Sequence, residues 1–170
     1  MHAKELVFNE ADIEMFIQRA YFLQDKKGCI LLQVPGKITL DYFNQVKEIL
    51  KVITNSEHTS EWNKAIELRN ASWHTGENFE LLNEYNASMV LHDFPKGKIE
   101  EVNYQADFIY LRFHGPTGNY RGSYSYEFLT QKADQIKEWR NNGKNVYAYF
   151  NNTGGEAYQN AHTLKELCAI

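Results

Sequence analysis

With 170 residues, 43% of them hydrophobic and 14% aromatic, the chain can bury one sizeable core and is too rich in Tyr and Phe for disorder. Its formal net charge of -4 withholds the positive field that non-specific nucleic-acid binding draws on, so nucleic acid stays an open but disfavoured partner. No apolar run approaches the ~18 residues of a membrane span and no charged-then-apolar leader opens the chain; a cytoplasmic protein that avoids the membrane is expected.

Helical spacing comes first, over Ala11–Leu23, where Ile13, Phe16, Ile17 and Ala20 share a face. The run Cys29–Val34 predicts a buried strand, with Cys29 as a small hydrophobe at its start. Leu40–Ile53 returns to helical spacing through Phe43, Val46, Ile49 and Leu50. A strand over Lys64–Arg69 follows, then a helix over Asn78–Tyr85 with Glu77 and Glu80 near its positive end, then a strand over Ser88–Asp93. The segment Phe94–Gln105 holds no clear helix, and its Lys96 and Lys98 read as solvated charge. Asp107–Phe113 predicts a strand, and Tyr126–Asn141 a helix that Gly143 stops. Asn145–Asn151 predicts the last strand, and Gly155–Leu167 the last helix, with Cys168 at its end. The two cysteines lie far apart in no metal-binding or disulfide spacing. Strand and helix alternate throughout, which predicts right-handed crossovers and a parallel α/β sheet in one domain over residues 1–170.

Ligands of parallel α/β folds bind beyond the carboxyl ends of the strands. The five predicted strands end in Gln33-Val34-Pro35, Glu67-Leu68-Arg69-Asn70, His92-Asp93, Arg112-Phe113-His114-Gly115 and Phe150-Asn151-Asn152, more polar than a structural sheet needs. Glu67, Arg69, Asp93, Arg112, His114 and Asn151 are therefore expected on one rim. Three chemistries suit them. Glu67, Asp93 and His114 are candidate ligands of a divalent metal that activates water, although no tight ligand spacing accompanies them. Arg69 and Arg112 suit an anion clamp, with Asp93 or Glu67 as general acid or base and His114 as proton shuttle. The same acids and arginines could instead neutralise each other as a buried ion network. Trp73, Tyr120 and Tyr124, with Arg121 beside them, are candidates to stack on a ligand ring and equally suit packing under loops.

These residues also carry a resemblance. Glu67-Leu68-Arg69 with Ser72-Trp73, Tyr110-Leu111-Arg112-Phe113-His114-Gly115, Tyr120 with Gly122 and Tyr124, and Tyr149-Phe150-Asn151-Asn152 with Ala157 and Asn160-Ala161 resemble the YecE-like family, domain of unknown function 72. Asp93 after its apolar run and Gln33-Val34-Pro35 fit the same order, so the resemblance runs from about Gly28 to the end of the chain. It implies a (β/α)8 barrel with no established reaction. The Gly-rich first strand of that family and two further strands have no counterpart here, Gly36 replaces a second proline, and Thr153 replaces a common acid. A whole barrel takes on the order of 250 residues. The expectation is thus a partial TIM-type barrel of about five strands, lacking the first three βα units. Its open first strand predicts self-association or a further segment ahead of Met1. The function that follows is a hydrolase or phosphate-ester enzyme working at the rim, with a non-catalytic module for nucleic acid or a phosphorylated ligand as the alternative.

Overall fold

The computed structural model describes residues 6–60, 62–95 and 106–169. In chain order the elements are α1 (Glu10–Tyr21), β1 (Cys29–Val34), α2 (Phe43–Asn55), β2 (Asn63–Leu68), α3 (Gly76–Glu84), β3 (Ala87–His92), β4 (Phe108–Phe113), β5 (Arg121–Gly122), α4 (Tyr126–Asn141), β6 (Asn145–Phe150), β7 (Gly154–Gly155) and α5 (Ala157–Cys168). All five expected strands form, and they pair in parallel in the order β1-β2-β3-β4-β6. The fold is α/β, a curled half-barrel consistent with a partial TIM-type barrel. Lys96, Lys98 and most of the expected loop Phe94–Gln105 lie outside the described residues.

Capping side chains set the helix starts. Asn9 accepts from the Ala11 amide at 3.1 Å, and α1 opens one residue earlier than its apolar spacing begins. Thr75 caps α3 through the Asn78 amide at 3.3 Å, so that helix begins at Gly76 and not at Asn78. The expected helix over Leu40–Ile53 divides into a 3-10 turn at Leu40–Tyr42 and the α-helix from Phe43. Three strand ends also move. β2, β3 and β6 stop at Leu68, His92 and Phe150, which puts Arg69, Asp93 and Asn151 one residue beyond their strands.

The convex face of the sheet is aliphatic. Ile30, Leu32, Val34, Ile66, Leu68 and Met89 pack with residues of α1, α2 and α3. Ile109, Leu111 and Phe113 pack with Leu129, Ala133, Ile136 and Trp139 of α4 and Leu164 of α5. Each fully buried Leu or Ile contributes roughly 1.5–3 kcal/mol of transfer free energy, so this side holds the fold. Phe16 departs from expectation in part: Ile13 and Ile17 are buried, but Phe16 is 56% exposed where it borders a cavity with Ile30 and Leu32. The concave face carries a smaller cluster of Ala65, Val90, Phe108 and Tyr110, with Cys29, Leu31 and Tyr147 packed against it. Among the described residues no helix is long and apolar enough to cross a membrane.

Candidate functional site

Parallel register decides which side chains share the concave face. Gln33 lies beside Glu67, and His92 beside Arg112, which in turn lies beside Tyr149. Arg112 Nη1 donates to Gln33 Oε1 at 2.9 Å although β2 and β3 stand between their strands. In a flat sheet those strands would be about 14 Å apart; the curl brings the tips together. Glu67, wholly buried, is the hub. Its Oε1 accepts from Arg69 Nε at 2.6 Å, and its Oε2 accepts from Arg112 Nη1. A buried carboxylate needs such partners, and charge-assisted bonds from guanidinium groups are the strong kind.

A second set of contacts runs through Asp93. Its Oδ1 accepts from the His114 amide at 2.7 Å and lies 3.2 Å from His114 Nδ1, while its Oδ2 accepts from the Tyr124 hydroxyl. The Tyr124 oxygen in turn accepts from the Gly115 amide at 2.6 Å. Burial alone would raise the Asp93 carboxyl, but the donors from His114 and Tyr124 outweigh it and hold it below the usual range. On the other edge of the ring, His114 Nε2 lies 3.8 Å from Glu67 Oε1. Asn151 turns its amide oxygen toward Arg112, accepting from Nε at 2.9 Å and Nη2 at 2.7 Å, with His114 Nε2 at 3.3 Å. The reverse orientation would set an NH2 group against a guanidinium, which has no lone pair to offer. Phe94 stacks on the His114 ring at 4.0 Å, and the Arg69 guanidinium lies over the Phe94 ring at 4.3 Å from its centroid.

The loop that carries Tyr124 is itself held from α5. Asn160 Oδ1 accepts from the Tyr124 amide at 3.2 Å and from Asn152 Nδ2 at 3.0 Å, and Asn160 Nδ2 donates to Ser123 Oγ at 3.0 Å. The short pair β5–β7 ties the same loop down, and Gly155 is required there because a Cβ would strike the Gly122 backbone. Tyr120 adopts a left-handed φ of 64°, a conformation that costs a bulky residue roughly 1–3 kcal/mol. It is fixed by its amide donating to His114 O at 2.6 Å and its carbonyl accepting from Gly154 N at 2.9 Å.

Glu67, Arg69, Asp93, Arg112, His114 and Asn151 thus form one connected network. Tyr120 joins its edge, 5.4 Å from the His114 ring and 42% exposed. Tyr124 is buried, and its hydroxyl donates to Asp93. Trp73 requires correction as a ligand-stacking residue: it is fully buried, and its indole donates to Ile38 O at 2.9 Å beneath the loop after β1. Arg121 is exposed on β5. Arg69 and Arg112 also differ. Arg112 has donors committed to Glu67, Gln33 and Asn151, whereas Arg69 uses only Nε, and its two Nη groups have no hydrogen bond among the described residues.

A metal does not fit this arrangement. Glu67 is occupied by two guanidinium groups, and the two carboxylates meet different edges of the His114 ring, so the three candidates do not converge on one point. Among the described residues no cluster of three His, Cys, Asp or Glu side chains is placed to share an ion. Gln33, His92, Phe94 and Tyr149 enter the site without having been assigned a role from sequence. His92 Nδ1 accepts from the Phe94 amide at 3.3 Å and its Nε2 donates to Leu68 O at 3.3 Å, which defines a neutral tautomer; burial lowers its pKa accordingly. The sequence signal for Phe94 was its position directly after Asp93, and for Tyr149 its alternation with Tyr147 on an edge strand.

The family model described as "Protein of unknown function DUF72" matches residues 1–170. No curated protein matches the chain. Among solved structures, the chain is similar to a DUF72 family protein of Enterococcus faecalis V583, with 20% identity and a TM-score of 0.77 over 96% of this chain and 67% of that one. It is also similar to a DUF72 family protein of Thermotoga maritima MSB8, with 24% identity and a TM-score of 0.70 over 93% of this chain and 65% of that one. The chain therefore spans about two thirds of the length of these relatives, which bear on the fold alone.

Proposed function

We propose a function on the premise that this chain belongs to the DUF72 family, whose activity is unknown: it is a hydrolase-type enzyme that processes phosphate esters at the carboxyl rim of its sheet. The observation that carries this reading is the pairing of an arginine whose Nη groups are unbonded among the described residues with a carboxylate-backed imidazole in one network. Arg69 receives the phosphate through its two Nη groups, which make no hydrogen bond among the described residues. His114 moves the proton, oriented by Asp93 at Nδ1, with Nε2 facing Asn151 and Glu67. Glu67 aligns Arg69 and Arg112 and takes no direct part. Phosphate-ester turnover by the purified chain, assayed over mono- and diesters, should fall about 100- to 10,000-fold in His114→Ala, and Arg69→Ala should raise KM. Turnover that survives in His114→Ala removes the assignment.

One observation favours a second reading, a binding module without catalysis. His114 has no exposed surface and lies under Phe94. Phosphate binding that depends on Arg69, with no ester turned over, would decide for that reading. On either reading the protein is cytoplasmic, and it self-associates through β1 and β6, the edges of the five-stranded sheet among the described residues. Light scattering should then give a mass above that of one chain; a stable monomer would speak against it.

A further inference from the structure

The concave face below the rim has a composition unusual for a barrel interior, where branched aliphatic side chains dominate. Tyr110 on β4 and Tyr147 and Tyr149 on β6 face one another there. The Tyr110 ring stacks on Tyr149 at 4.9 Å and 20°, and on Tyr147 at 6.4 Å and 27°. Asn63 donates to the Tyr147 hydroxyl at 3.2 Å. The stack ends at Tyr149, which is 44% exposed and lies in register with Arg112. An aromatic tier with one open ring therefore runs directly into the charged network.

We infer that Tyr149 is a substrate-binding residue and that the ligand of this site is a sugar phosphate, its ring packed on Tyr149 and its phosphate on Arg69. The inference rests on the phosphate-ester reading above. A sugar ring has an apolar C–H face that covers an aromatic ring and a rim of hydroxyls that need donors and acceptors. The tier supplies both. Burial raises the pKa of Tyr110 and Tyr149, so both remain hydroxyl groups able to donate as well as accept. Gln33 and Asn151, which both bond to Arg112, add amide groups at the rim beside it. Cys29, on the same face, is no competing nucleophile: burial pushes its thiol up to about 12, against a smaller lowering by its hydrogen bond to Tyr147.

Calorimetric titration of the full chain with inorganic phosphate, ribose 5-phosphate, glucose 6-phosphate and adenosine monophosphate tests the assignment. At least one sugar phosphate should bind about tenfold more tightly than inorganic phosphate, a gain that Tyr149→Ala abolishes and Tyr149→Phe largely keeps. Inorganic phosphate should bind Tyr149→Ala within about twofold of the parent, which also reports that the variant is folded. Sugar phosphates that bind no better than phosphate, with binding still lost in Arg69→Ala, would overturn the sugar assignment and leave the phosphate reading standing. Adenosine monophosphate about tenfold tighter than ribose 5-phosphate would put a base on Tyr149 and overturn it too. Absence of any phosphate binding removes both.

Discussion

The two faces of one sheet do different work. On the convex face, Ile30, Leu32, Val34, Ile66 and Leu68 are buried against helices. On the concave face the sheet presents Gln33, Glu67, His92, Arg112 and Tyr149, and there Arg112 donates to both Gln33 and Glu67. Because side chains alternate along a strand, neighbours in sequence can belong to stability and to chemistry respectively. The convex side supplies a large undirected term, the concave side a smaller directed one. A site assembled from strand tips can hold buried charges only because the aliphatic face has already secured the backbone beneath it.

Glu67 and Leu68, adjacent and opposite, separate these contributions most sharply. Glu67→Gln keeps the shape but leaves two guanidinium groups facing a neutral amide, and breaking a buried ion pair in this way costs about 3–5 kcal/mol. The partial exposure of Arg69 and Arg112, at 19% and 14%, points to the lower end of that range. Leu68→Ala removes buried methyl groups from the convex core and should cost about 2–5 kcal/mol. Denaturant unfolding measures both losses, and phosphate titration distinguishes them. Glu67→Gln should alter phosphate affinity because Arg69 loses its anchor, while Leu68→Ala should leave affinity unchanged in the folded fraction. Equal effects on affinity would mean that the faces are not separable.

That division also explains what could be read before the structure. Parallel strands covered by helices give nearly continuous apolar runs, so Cys29–Val34 and Asp107–Phe113 stood out, and the polar residues that ended each run marked the rim. The partners of those residues were not readable. Arg112 meets Gln33 only because the sheet curls across three strand spacings, a quantity no local pattern encodes. The split between a committed Arg112 and an available Arg69 has the same origin. Trp73 looked like a rim aromatic because it follows Arg69 closely, but the loop after β1 folds over it and takes its indole proton at Ile38. Tyr149, named only within the family motif, received no role because on an edge strand an exposed aromatic residue is ordinary until its neighbours in register are known.

The smallest expected effect concerns how the polar side is kept in place. Tyr124→Phe removes the hydroxyl donor to Asp93 and the acceptor of the Gly115 amide, and each such bond is worth about 0.5–1.5 kcal/mol. Only the first part depends on pH. The folded pKa of Asp93 lies below its unfolded value of about 3.9, because donors from His114 and Tyr124 overcome the effect of burial. Its contribution to stability is therefore complete above about pH 4 and is lost as pH falls through the lower folded value. Without the Tyr124 hydroxyl, the folded pKa rises toward the unfolded one and less stability remains to be lost. The stability gap between parent and Tyr124→Phe should be about 1–2 kcal/mol at neutral pH and should narrow on acidification below pH 4. His92 does not confuse this measurement. Burial lowers its pKa from 6.5, so its contribution declines as pH falls below about 6.5, but it does so in both chains and cancels in the difference. Urea unfolding at a series of pH values reads the gap directly. A gap that stays constant to acid pH would show that Tyr124 acts through packing and the Gly115 amide alone, and that Asp93 is held by His114 without it.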